Sequence, residues 1–292
     1  MLQAHCRAVS KSAVPACWPP WGSCGRIAGP AWRASQPSGV FTFARCPLWS
    51  RCPACAMLRA RCRAVSGLLG ITAIGSDTDG QGIGLYEVPA LESVSGLHGV
   101  AGALPGSLII QQADKLVSLD GLQGITAIGN DTNGRSIVLY WVNALETVCG
   151  LRGVAGTLPG SLFIAFAVGL VSLDGLEGIT DIGNDTYGLS IFLQGVRALE
   201  SVSGLRGVSG ALPGSLLIQL ADKLVSLDGL QGITAIGNDI SGVSIFLQGV
   251  PALESVSGLR NVAGAVPGSL FIENADQLAS LDGLLGITAI GS

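Results

Sequence analysis

The tripeptide Gly-Ile-Thr begins at Gly70, Gly124, Gly178, Gly232 and Gly286, and Pro-Gly-Ser begins at Pro105, Pro159, Pro213 and Pro267, each series spaced by 54 residues. Residues 113–131, ADKLVSLDGLQGITAIGND, recur letter for letter as residues 221–239. A strict short period means that one small unit is stacked on copies of itself, each burying the apolar face of the next. Each 54-residue block splits again into a 29-residue half, such as the one from Leu116, and a 25-residue half, such as the one from Leu91. Both halves obey one formula: Leu, two residues, an apolar residue, Asp or Ser, Gly-Leu, a turn, then Ser-Leu-x-Ile or Ser-Ile-x-Leu. Eight such units lie between Cys62 and Gln277, and a ninth begins at Leu278 and stops at Ser292.

Within one unit the segment SLIIQQA (107–113) has counterparts SIVLYWV, SLFIAFA, SIFLQGV, SLLIQLA and SLFIENA. These aliphatic, β-branched and aromatic runs suit strands. The residues one and three after the Ser are always Leu or Ile, as in Leu108 and Ile110 or Ile137 and Leu139. With a period of two they share one face, which must be the interior. Two shorter apolar pieces, KLVSL and ITAIG, complete each long unit. Pro105-Gly106 fits a type II turn, with Gly supplying positive φ, and residues 130–134 (NDTNG) fit a longer turn.

Three short strands in 25–29 residues leave no room for a helix and predict an all-β chain, a parallel β-solenoid of about eight coils. At about 4.8 Å per coil the stack would be a rod of roughly 40 Å. The chain has no run of eighteen apolar residues, so no membrane-spanning helix is expected.

Charge divides the chain in two. Residues 1–66 hold nine of the sixteen Lys and Arg and no acid, whereas the rest holds seven basic and all twenty acidic residues, a net of −13. Seven of the eight cysteines and four of the five tryptophans also lie in the head. Residues 1–61 therefore form a basic, Cys/Trp/Pro-rich leader without regular periodicity, and residues 62–292 form the repeat domain. The leader fits a disordered segment, an organelle transit peptide, or a start placed too early; it lacks the apolar stretch of a secretory signal. Cys52 and Cys55 form a CxxC that with Cys46 and Cys62 could hold zinc, but the spacing matches no standard module. No cofactor is expected. Nor is a nucleic-acid partner, because the body is strongly acidic.

The run LVSLDGLQGITAIG followed by Ser-Leu-x-Ile resembles the receptor L-domain pattern of insulin- and EGF-receptor-type lobes and of microbial surface proteins. The resemblance covers about residues 62–292 and implies a right-handed parallel β-helix with leucine-rich-like coils, placed at the cell surface or outside the cell. The chain departs from that pattern in having no cysteine-rich module inside the repeat and unusually similar units. Leucine-rich repeats share the period, but their LxxLxLxxN core is not cleanly present.

A catalytic centre should show as a break in the repeat. His98, the one His of the body, occupies a variable slot filled elsewhere by Arg152, Arg206 and Arg260. Cys149 replaces Ser95, Ser203 and Ser257. Asp120, Asp174, Asp228 and Asp282 share one column and could stack around Ca²⁺, although Asp before Gly is first a turn residue. Asp77-Thr-Asp-Gly80 begins like an EF-hand loop and lacks the later ligands. None of these is a catalytic constellation, so no enzyme is expected. Asn130 and Asn184 head glycosylation sequons in the long turn.

The feature that stands out is the column one residue beyond the inward Leu or Ile: Ile109, Val138, Phe163, Phe192, Leu217, Phe246 and Phe271. With Leu108 and Ile110 inside, these side chains should form an outward apolar stripe, which marks a partner surface unless something of the chain or a second copy covers it. The next outward column is rich in glutamine, which can hydrogen-bond from coil to coil. The expectation is a non-catalytic scaffold that binds a protein, or a copy of itself, on the parallel sheet. The alternatives are a purely structural self-associating repeat and a leucine-rich-type recognition protein. A small-molecule ligand is not expected.

Overall fold

The computed structural model describes the backbone of residues 41–43 and all of residues 71–291. Apart from Phe41–Phe43, the leader with its cysteine cluster lies outside the described residues. A nine-stranded, wholly parallel sheet takes its first strand, β1 (Phe41–Phe43), from the leader and one further strand from each coil: β2 (Gln81–Tyr86), β4 (Ser107–Gln111), β6 (Arg135–Tyr140), β8 (Ser161–Ala165), β10 (Leu189–Gln194), β12 (Ser215–Gln219), β14 (Val243–Gln248) and β16 (Ser269–Glu273). Chain order and spatial order coincide, as stacking of successive units requires. Strands β2 to β16 supply one rung from each of eight coils, so the all-β solenoid read from the repeat is the architecture.

A second face is made of pairs. β3 (Gly102–Leu104) joins β5 (Ile125–Ile128), β7 (Gly156–Leu158) joins β9 (Ile179–Ile182), β11 (Gly210–Leu212) joins β13 (Ile233–Ile236), and β15 (Gly264–Val266) joins β17 (Ile287–Ile290). The third face is thinner than expected. Its KLVSL and LESV segments meet only as single parallel bridges, among them Ser172 with Ser201, Ser201 with Ser226 and Ser226 with Ser255. The coils are all-β as expected, with one short addition that the repeat formula does not announce. One turn of 3-10 helix follows this face at Ser95–Leu97, Cys149–Leu151, Ser203–Leu205, Ser257–Leu259 and Asp282–Leu284. Three residues suffice for such a turn, and it tucks Leu97, Leu151, Leu205 and Leu259 into the interior.

The interior is a single column of stacked aliphatics. In one coil Leu162, Ile164, Leu170, Leu173, Leu176 and Ile179 are all fully buried, and the same columns stay buried from Leu108 to Leu259; in the last coil they open, with Leu281 53% exposed. Each such side chain is worth about 1.5–3 kcal/mol by burial alone, so the repeated formula is itself the source of stability. At the inward position after the main strand, Val142, Val196 and Val250 alternate with Ala113, Ala167 and Ala221, a large residue against a small one in neighbouring coils.

Long and short coils alternate for a visible reason. The long turns reach across the short coil between them and bond to one another: Thr132 N–H donates to Asp79 O (2.9 Å), Thr186 N–H to Asn133 O (2.8 Å) and Ile240 N–H to Tyr187 O (2.9 Å). Inside each turn an aspartate closes the loop. Asp131 Oδ1 accepts from the N–H groups of Asn133 and Arg135, both at 2.9 Å, and Asp185 and Asp239 do the same in their turns. The true repeating unit is thus a pair of coils, which is why the sequence period is 54 rather than 25 or 29.

The Pro-Gly turn differs from the type II expectation. Gly106 does not have positive φ; a Cβ there would lie on the carbonyl oxygen of Gly80 in the preceding coil. Glycine is needed at that position because two backbones touch.

Candidate binding face

The main sheet sets the outward stripe in perfect register. Ile109 pairs with Val138, Val138 with Phe163, Phe163 with Phe192, Phe192 with Leu217, Leu217 with Phe246, and Phe246 with Phe271. Their flanking residues, such as Ile191 and Leu193, are fully buried, so the alternation read from the sequence holds along β10. The stripe is not uniformly open. Ile109 and Val138 stand apart from the interior column and are nevertheless buried, at 2% and 1% exposure. Phe163, Phe192, Leu217 and Phe246 are half-buried, and Phe271 is 47% exposed. The accessible apolar surface therefore runs from β8 to β16.

Ring geometry makes this surface continuous. Phe163 and Phe192 stack with centroids 4.5 Å apart and planes 8° from parallel, and Phe246 and Phe271 meet at 5.6 Å. Beside it runs the polar column. Gln194 Nε2 donates to Gln219 Oε1 and Gln248 Nε2 to Glu273 Oε2, each at 2.7 Å, so amides do bridge coils as expected. These bonds hold the polar side chains upright along the edge of the apolar strip.

A comparison within the molecule shows what is particular about this face. The third face also carries exposed valines, Val117, Val171 and Val225, but Glu146 and Glu200 from the intervening coils separate them. Apolar residues there never adjoin. On the main sheet no charge interrupts the stripe between Phe163 and Phe271.

Sequence reading missed a further set of residues at the corner where each main strand ends. Glu87, Gln112, Trp141, Phe166, Leu220 and Asn274 all have left-handed backbones, with φ between 52° and 56°. Gly195 and Gly249 hold the same corner in other coils. Those glycines and Asn274 were the available signal, since they favour positive φ where other residues resist it. Trp141 and Phe166 extend the aromatic surface around this corner: Tyr140 lies 4.5 Å from Trp141, 5.7 Å from Phe166 and 6.5 Å from Phe163.

The remaining candidates do not converge. His98 is exposed, with Nδ1 3.0 Å from the carbonyl oxygen of Ser95 in its own turn. Cys149 is a half-buried free thiol in the equivalent turn two coils on, so the two are separated by a whole long coil. Asp120, Asp174 and Asp228 are likewise two coils apart, about 10 Å by strand spacing, too far to share an ion. Asp120 instead accepts from Gln123 Nε2 at 2.8 Å, and Asp228 from Gln231 Nε2 at 2.8 Å. Among the described residues no cluster of three metal-ligating side chains forms. Asn130 and Asn184 are both exposed on the ridge of long turns.

Two groups on that ridge are electrostatically perturbed. Burial pushes the Tyr86 phenol up to about 12, against the pull of Arg135, while its hydroxyl donates to Gln81 Oε1 at 2.8 Å. Burial also raises the Asp185 carboxyl above the usual range, opposed by the N–H groups of Leu189 and Tyr187. Arg135 Nε sits 3.4 Å from Asp131 Oδ2. These groups brace the turns.

Among the described residues no helix is long and apolar enough to cross a membrane. Compared with known protein families, curated proteins and solved structures, the chain finds no match.

Proposed function

We propose that the protein is a non-catalytic interaction scaffold that binds a protein partner on the outer face of its parallel sheet, in the manner of the receptor L-domain repeats it resembles. The observation that carries this reading is the uninterrupted, in-register apolar stripe from Phe163 to Phe271, on a body whose third-face valines are kept apart by glutamates. An apolar surface of this kind, bordered by a hydrogen-bonded polar column, has the composition of an interface core with its polar rim. A rigid stack suits the task, because the phenylalanines are held by the coils beneath them and lose little freedom on binding.

The test is the double variant Phe192→Ser/Phe246→Ser, studied by size-exclusion chromatography with light scattering and by solubility. Both side chains point away from the interior, so the coils should still stack. If the stripe is the working surface, the variant gains solubility and loses partner binding. An assembly of the wild-type chain that the variant abolishes would identify a second copy as the partner. Unchanged solubility and unchanged binding would remove the stripe from consideration.

A further inference from the structure

The corner beside the stripe carries a second, chemically different feature. An open groove of about 450 Å³ is lined by Glu87, Pro89, Gln112, Asp114, Trp141 and Asn143. These come from two columns over three successive coils: the left-handed corner position and the outward position two residues beyond it. The three tiers are thus spaced by about 4.8 Å, the strand repeat.

Two of the eight corners are glycine, Gly195 and Gly249, which accept positive φ without strain, and the other six, Trp141 among them, are not. Trp141 takes φ of 54° there, a poor conformation for a bulky residue, and is still 39% exposed. Leu220 takes the same conformation and is equally exposed, so what sets Trp141 apart is an aromatic ring standing beside the polar groups of the groove. Tyr140 and Phe166 pack against the ring, with centroids 4.5 and 5.9 Å away, and the ring lines the groove. The floor beside it is a hydrogen-bonded pair, Asn143 Nδ2 donating to Asp114 Oδ1 at 2.7 Å. That bond orients both groups and leaves free a second amide N–H, the amide oxygen and the other carboxylate oxygen. Gln112 adds another amide.

An aromatic platform next to fixed donors and acceptors suits a ligand with an apolar C–H face and hydroxyl groups that both donate and accept. A cation would want acceptors alone, and Glu87 and Asp114 already have partners. We propose that this groove binds a neutral sugar, a pyranose ring lying on Trp141 with its hydroxyls bonded by Asn143, Asp114 and Gln112. The groove is open, so the ligand would be a terminal or exposed unit of a glycan and the single-site affinity weak. This departs from the sequence expectation of no small ligand, because the corner column shows its meaning only once its backbone conformation is known.

The experiment presents the full chain to an array of neutral oligosaccharides (glucans, mannans, galactans and N-acetylglucosamine oligomers) and follows any retained sugar by calorimetry. Tetramethylammonium chloride is the cationic comparator. The expected result is retention of a neutral oligosaccharide with a dissociation constant on the order of 1 mM, weakened about tenfold or more in Trp141→Gly. That variant should keep its thermal midpoint, because the fold accepts glycine at two other corners, Gly195 and Gly249. Asn143→Ala, at a surface position, should weaken binding in the same direction and serves as the second variant if Trp141→Gly unfolds. Phe192→Ser/Phe246→Ser should leave sugar binding intact, so the sheet-face reading and this one can fail separately. Retention of no neutral sugar at about 10 mM, binding that survives both groove variants, or a Trp141-dependent preference for tetramethylammonium would each overturn the proposal.

Discussion

The main strands from β4 to β14 carry a row of six fully buried serines near their start, and the row is of two kinds. Ser136, Ser190 and Ser244, in long coils, accept a hydrogen bond from the backbone N–H of Gly160, Gly214 and Gly268 at 2.8–2.9 Å. Ser107, Ser161 and Ser215, in short coils, have hydroxyls without a hydrogen-bond partner. Replacing each kind by Ala should therefore have opposite consequences. In Ser190→Ala the Gly214 N–H is left buried without its acceptor, a cost of about 1–3 kcal/mol. In Ser161→Ala an unsatisfied hydroxyl disappears, which should be neutral or stabilising by about 1 kcal/mol. Both sites are fully buried and both changes remove one oxygen, so cavity terms largely cancel in the comparison. The expected separation is about 2 kcal/mol or more. Urea unfolding followed by circular dichroism gives the global values. Hydrogen exchange at the Gly214 amide gives a local one that survives even if the array does not unfold in a single step. Equal destabilisation by the two variants, or unaltered protection of Gly214 in Ser190→Ala, would refute the reasoning.

Other expectations follow from the same coordinates. Gly204→Ala should destabilise by about 1–3 kcal/mol in a thermal melt, because the added Cβ would fall on the carbonyl oxygen of Leu173 in the neighbouring coil. For Asp185 the folded-state pKa is raised, so the folded chain favours the protonated acid. Its contribution to stability is present below the unfolded-state value and is lost as pH rises through the raised one. Asp185→Asn keeps the acceptor oxygen of the turn and should flatten that decline in a pH series of unfolding midpoints; a decline of the same size in the variant would count against burial as its cause.

Much of the fold was legible because the repeat states its own packing. Leu108 and Ile110, or Leu162 and Ile164, could be placed inside from alternation alone, and the parallel order of strands follows from stacking identical units. The misreadings have a common origin: they concern contacts between coils, which a single unit does not reveal. Gly106 looked like a turn glycine and is a contact glycine, set by the backbone of the previous coil. Asp120, Asp174 and Asp228 align in the sequence but sit in alternate coils, so the carboxylates do not meet. Ile109 and Val138 belong to the outward column by register, but periodicity does not report that they are buried. The corner groove was hidden for a different reason: Trp141 and Asn143 line one groove with Gln112 and Asp114 only when the corner turns left-handed and three coils are stacked.

The claim that the sheet's outer face is the working surface is tested most directly by site-specific photo-crosslinking. A photoreactive phenylalanine analogue is placed at Phe192 or Phe246, and, as a control on the third face, at exposed Val225. The protein is then irradiated in its native setting, and adducts are resolved by mass spectrometry. The account predicts the same discrete protein adduct from positions 192 and 246 and none of that mass from 225. Adducts from 225 alone, or no adduct from the sheet face, would contradict it.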